Sequence, residues 1–210
     1  MGKLRIVSLV LLLMIISAVP AYAGGFRING VEVKGNYIIA NSSAEVSLSN
    51  ITVGGYVYRA NEKGELVRIV SGNKEADDAV RNILSQIIKP GMAETEKLKA
   101  VYDHMASYNW RAVNADVSGG YTDEKMAELA LYLVHSGRGN CDHYASLEIL
   151  LIRGLGYKAE PMVGQRKLSE EGQFSAYTWA KVYVDGKACH FDPGYAFLLT
   201  DEEVKATHRW

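Results

Sequence analysis

The chain has 210 residues, 48% of them hydrophobic, and a formal charge of −1 at neutral pH. That is enough apolar material for one domain with a sizeable core plus a small appendage. A near-neutral balance gives no electrostatic case for nucleic acid or an anionic membrane surface as partner.

Lys3 and Arg5 form a basic start, Ile6 to Ala18 is an apolar run, and Ala21-Tyr22-Ala23 is a small-x-small cleavage site. This is the pattern of a secretory signal peptide over 1–23, with an apolar run short for a membrane span. Cleavage before Gly24 removes two of the 23 Lys+Arg and none of the 24 Asp+Glu, leaving a mildly acidic product. The expected location is secreted or extracytoplasmic, in the cell envelope, with no integral span after cleavage. Cys141 and Cys189 are then both exposed to oxidising conditions, so a disulfide between them has to be weighed.

Over 24–72 the pattern is of short alternating runs broken by Gly and Asn: Val31 to Lys34, Tyr37 to Ile39, Glu45 to Leu48, Tyr56 to Arg59 and Leu66 to Val70. These read as three to five strands of a small antiparallel sheet, a structural or docking region without chemistry of its own. From 73 to 210 the pattern is that of a second, mixed domain. Ala76, Ala79, Val80, Ile83, Leu84, Ile87 and Ile88 form one helical stripe, stopped by Pro90-Gly91. A second helix from Thr95 to about Ser107 turns Leu98, Val101, Tyr102 and Met105 inward, with His104 at the stripe's edge. After a polar loop from Val113 to Gly120, Thr122 caps a third helix.

Arg138-Gly139-Asn140-Cys141 is a tight turn into a fourth helix, closed by Gly154 or Gly156. Asn140 suits the N-cap and Asp142 the first turn, where the helix dipole favours a negative charge. Ala145, Leu147 and Ile149 to Ile152 point nearly all round, so this helix is expected in the core. A thiol at such a helix start is placed as a nucleophile, because the helix N-terminus favours the thiolate.

Ala159 to Val163 then reads as a strand and Gly164 to Gly172 as a charged, exposed loop. Asp185-Gly186 between two alternating runs signals a type I′ hairpin in which Val184 pairs with Lys187. That register puts Tyr177, Trp179, Lys181 and Tyr183 on one face with Ala188, His190 and Asp192, and points Cys189 to the other. If Cys141 approaches the Asp192 face, a Cys141–Cys189 bridge would need a different backbone path, so two free thiols are expected, with Cys189 in the core.

These stretches resemble the transglutaminase-like superfamily, on the papain-like cysteine-hydrolase plan. The resemblance rests on Gly139-Asn140-Cys141, on Tyr177-Thr178-Trp179, on Val182 to Gly186, and on Phe191-Asp192-Pro193, with the lead-in from Glu94 to Trp110. It covers roughly 92–203. The implied fold is α+β, with helices packed on an antiparallel sheet and the small N-terminal β region before it. The implied catalytic set is Cys141, the residue at 177, and Asp192, with a peptide, protein or cell-wall polymer as ligand or substrate.

At 177 the family carries its catalytic histidine, and this chain carries tyrosine. In a Cys-His-Asp triad the imidazole takes the thiol proton and holds the thiolate as an ion pair, while the Asp orients the ring. A phenol of pKa about 10 is no base near neutral pH. His190 shares the hairpin face but lies toward the turn. His143 projects about 200° round the helix from Cys141, and nothing places His135. Each reads as structural, His190 being the best stand-in.

The leading expectation is therefore an exported transglutaminase-like domain with impaired catalysis that binds a peptide or cell-surface polymer. One rival is an active thiol peptidase, amidase or acyl-transferase working through a thioester on Cys141, with the Tyr177 hydroxyl as oxyanion donor. Another is an adhesion or assembly factor acting through its N-terminal sheet. No cofactor is implied: the sequence holds no metal-ligand spacing, no phosphate-cradling loop and no dinucleotide fingerprint.

Overall fold

The computed structural model describes residues 26–28, 31–34, 37–39, 51–53, 56–60, 66–167 and 172–210. The expected leader over 1–23, the run Glu45 to Leu48 and residues 168–171 of the expected loop lie outside them. The chain divides into two units, Met1–Ile69 and Val70–Trp210.

In the first unit, β1 (Phe26–Ile28), β2 (Val31–Lys34) and β3 (Tyr37–Ile39) form one antiparallel sheet. A second contains β4 (Ile51–Val53), β5 (Tyr56–Ala60) and β6 (Leu66–Arg68). Among the described residues there are thus six short strands in two sheets, where the alternation pointed to three to five in one.

The second unit begins with α1 (Lys74–Ile87) and α2 (Glu94–Met105), followed by the short strand β7 (Asn109–Trp110). Then come α3 (Asp123–Ser136), β8 (Arg138–Gly139), which pairs in parallel with β7, and α4 (Cys141–Leu155). The first three helices pack on α4. Leu147 and Ile149 to Ile152 have no exposed surface, as a helix apolar all round requires. Both caps read from the sequence are made: Thr122 accepts the Lys125 N–H, and Asn140 accepts those of Asp142 and His143.

One antiparallel sheet completes the unit, from β9 (Lys158–Lys167), β10 (Phe174–Val184), β11 (Lys187–Asp192), β12 (Ala196–Leu199) and β13 (His208–Arg209). Its order is β12-β11-β10-β9-β13, and the four-residue α5 (Asp201–Val204) precedes the last strand. The resulting α+β architecture, helices on an antiparallel sheet, is the fold class expected. Val184 pairs with Lys187 as predicted, and Asp185 and Gly186 both have positive φ, at 51° and 76°, which a type I′ turn demands.

The structure corrects one stretch. Residues 164–167 are strand, with Gly164 opposite Tyr177 and Arg166 opposite Ser175 on one side and His208 on the other. A charged run reads as loop when its edge looks open, but here β13 covers that edge. Gly164 makes the cover possible: a Cβ there would lie 2.1 Å from the Arg209 carbonyl oxygen.

By pleating, Ala180 and Val182 project toward the helical core and Trp179 to the other side of the sheet. Trp179 is nevertheless buried, because His190, His208 and Trp210 pack around its ring.

Candidate active site

The turn into α4 is built by close packing. A Cβ on Gly139 would lie 2.6 Å from Cβ of His143, so only glycine lets the chain pass. His143 Nδ1 meets Asn140 Oδ1 at 2.6 Å, which holds the ring on the cap. The Cys141 thiol, half-buried and unpaired, lies 3.9 Å from Asp142 Oδ1. Its sulfur is also approached by the backbone N–H of Thr178 in β10. A second link comes from Tyr121, whose hydroxyl donates to Asp142 Oδ1 and stands 2.8 Å from Thr178 Oγ1. The helix start and the middle of β10 are therefore bonded together.

Burial pushes the Cys141 thiol up, and the Asp142 charge pushes it further. The N–H groups of Thr178, Asp142 and Cys141 itself pull the other way without prevailing. The helix-start argument for a lowered thiol pKa is thus outweighed, since desolvation and a like charge both disfavour the thiolate.

Tyr177 lies within electrostatic reach of the thiol, and its hydroxyl donates to Asp192 Oδ1 at 3.2 Å. Burial comes first and the Asp192 charge second in holding this phenol well above its ordinary pKa, with the Cys141 charge contributing. It stays protonated and acts as a donor. Asp192, 3% exposed, also faces His208 Nε2 at 3.1 Å and Arg166 Nη1 at 3.6 Å from Oδ2. An ionised carboxylate only accepts, so Nε2 carries the hydrogen.

The structure thus brings Cys141, Tyr177 and Asp192 to one place and adds His208 and Arg166, which the sequence did not suggest. It takes the stand-in histidines elsewhere. His190 accepts from Trp179 Nε1 at 2.7 Å and meets Asp201 Oδ1 at 2.7 Å. His143 is held on Asn140 at 2.6 Å and His135 pairs with Glu75 at 3.4 Å. Among the described residues no hydrogen bond joins an imidazole to the Cys141 sulfur. Cys189 is also unpaired but half-buried, short of the full core position expected.

Among the described residues no cluster of three or more His, Cys, Asp or Glu could hold a metal ion. No helix among them is long and apolar enough to cross a membrane.

The family model of the transglutaminase-like superfamily matches residues 81–193, more than half of the chain. No curated protein matches it significantly. Among solved structures, a candidate cysteine protease from Cytophaga hutchinsonii is 18% identical, with a TM-score of 0.41, over 56% of this chain and 37% of that one. A candidate protease from Parabacteroides distasonis is 13% identical, with a TM-score of 0.40, over 83% of this chain and 36% of that one. The chain therefore spans little more than a third of the length of either.

Proposed function

Because the chain belongs to the transglutaminase-like superfamily, we propose that it is an exported member with impaired thiol catalysis that binds a peptide or cell-surface polymer. The observation that carries this reading is the bond from the Tyr177 hydroxyl to Asp192 Oδ1. The carboxylate that would orient an imidazole orients a phenol instead. A phenol held above its ordinary pKa cannot take the thiol proton, and a thiol raised by burial does not give it up unaided. The ion pair on which such a nucleophile depends therefore lacks its imidazolium, and loss of one member of a catalytic unit costs several orders of magnitude in rate. The basic start at Lys3 and Arg5, the apolar run to Ala18 and the Ala21-Tyr22-Ala23 site support export.

The rival thioester enzyme needs the Tyr177 hydroxyl free to face an oxyanion, and in this structure that hydroxyl is committed to Asp192. Iodoacetamide labelling of Cys141 across pH separates the two. Labelling confined to alkaline pH, with no hydrolysis of a peptide library, is expected; rapid stoichiometric labelling at pH 6 would overturn the impaired reading. Tyr177→His should restore thiol reactivity near neutral pH, since Asp192 already stands ready to orient a ring.

A further inference from the structure

Arg166, beside Asp192, is a buried cation whose hydrogen-bonding capacity is only partly used. Its side chain is 2% exposed, and its Nε and Nη2 are buried with no hydrogen-bond partner. Orphaned guanidinium donors are costly, because the N–H groups have lost water and gained nothing in exchange. The position is rigid: Arg166 is held in the ladder by β10 on one side and β13 on the other. Nη1 lies 3.6 Å from Asp192 Oδ2, beyond a hydrogen bond, and that carboxylate already has Tyr177 and His208 as partners. Asp192 therefore offsets the charge of Arg166 without satisfying its fork.

The guanidinium lies over two rings, 4.7 Å from the Tyr177 centroid and directly against Tyr195. Tyr177 is fixed by its bond to Asp192. Tyr195 differs: its hydroxyl is within hydrogen-bonding reach of the guanidinium, yet the residue is 58% exposed, where water can replace that bond. Its backbone is set by a turn in which the Tyr195 N–H donates to the Asp192 carbonyl at 2.9 Å. Pro193 occupies the second position and Gly194, with φ 84°, the third, as a type II turn requires. Uncovering Arg166 therefore needs only rotation of an exposed side chain, a fast motion without backbone change.

We propose that Arg166 is the ligand-recognition group of the cleft, taking a peptide carboxylate on Nε and Nη2 in a bidentate pair, with Tyr195 as its side-chain cover. This deepens the peptide-binding reading above and rests on it. Nε and Nη2 are the edge of the guanidinium that matches the two oxygens of a carboxylate. The carboxylate can be a chain's C-terminal group or an acidic side chain.

The test uses the intact mature protein and a fluorescein-labelled mixed-sequence tetrapeptide in three forms, read by fluorescence anisotropy. One form has a free C-terminus, one is its amide, and one is the amide with an internal Glu. Preference for the free acid over the plain amide, by about tenfold, is expected for a charge-assisted fork. Equal affinity of all three forms overturns the proposal while leaving peptide binding intact, whereas no binding of any form overturns both. Tighter binding of the Glu form than the free acid assigns the site to a side chain; the reverse assigns it to a C-terminus. Arg166→Gln should abolish the preference, and its persistence would overturn the assignment. Should Arg166→Gln not fold, Arg166→Lys keeps the charge without the fork and is expected to lose most of the preference, with full retention overturning it. Tyr195→Ala should preserve the preference or increase it, and loss of the preference would overturn the role of Tyr195 as a mere cover.

Discussion

His208 Nε2 stands 3.1 Å from Asp192 Oδ2, so the carboxylate of the candidate site is held by the last strand of the chain. Thr207 Oγ1 lies 2.9 Å from the other ring nitrogen, and the ring packs on Trp179 with centroids 4.8 Å apart. Asp192 is thus fixed from two sides, by Tyr177 on one oxygen and His208 on the other. The Tyr177–Asp192 bond inherits its geometry from a strand that does no chemistry.

Removing that support should be costly. His208→Ala deletes a bond to a charged group and a ring contact on Trp179, together worth about 2–4 kcal/mol. Urea unfolding followed by tryptophan emission is the measurement, with a red shift expected as Trp179 gains water. A change under about 0.5 kcal/mol, the level of an ordinary surface substitution, would mean that β13 is not an integral strand.

Gly164→Ala tests the same docking from the opposite edge. The new Cβ would meet backbone, the Arg209 carbonyl oxygen at 2.1 Å, as well as the Trp179 ring at 3.0 Å. Backbone cannot yield as a side-chain tip does, so β13 must shift and take His208 away from Asp192. Overpacking of this kind costs about 1–3 kcal/mol. Faster amide exchange at Lys167 should accompany it, since the Lys167 N–H donates to the Thr207 carbonyl.

Local signals made much of this legible. Thr122 and Asn140 could be read as caps because a cap and the N–H groups it accepts lie within three residues. The hairpin register followed from Asp185-Gly186 because positive φ at both positions suits few other pairs. The buried α4 followed from composition alone. Arg166 and His208 were not legible for the opposite reason. They meet because β13 pairs with β9 across some forty residues, and no local periodicity encodes which distant strand will cover an edge. Gly164 and Arg166, read alone, have the composition of a loop. Only the neighbouring strand turns the glycine into a packing requirement and the arginine into a buried cation.

The thiol carries a prediction with a definite sign. Burial is the main cause that raises Cys141 and the Asp142 charge the second. Asp142→Asn removes the like charge while keeping an oxygen that can accept from Tyr121. The pH midpoint of iodoacetamide labelling should therefore move down relative to wild type. No movement would mean that desolvation alone governs the thiol, and an upward movement would show that Asp142 orders the helix-start N–H groups that favour the thiolate.

Glu148 lies two turns along α4 from Cys141, fully buried, with neither carboxylate oxygen hydrogen-bonded. Burial first, and the Asp192 charge second, raise it well above the ordinary value of 4.5. In the unfolded chain the carboxyl ionises as pH rises through that value, while the folded form keeps its proton. The unfolded state then releases a proton that the folded state retains, so this residue increasingly disfavours folding from about pH 4.5 up to its folded pKa. Glu148→Met replaces the group with an unbranched apolar side chain suited to irregular space. It should stabilise the fold at pH 7.5 by about 1–3 kcal/mol, the cost of an unsatisfied buried polar group, and by less at pH 5. Urea midpoints at the two pH values decide it. A variant less stable than wild type at pH 7.5 would show that Glu148 has a compensating partner in solution, and a gain equal at both pH values would show that ionisation plays no part.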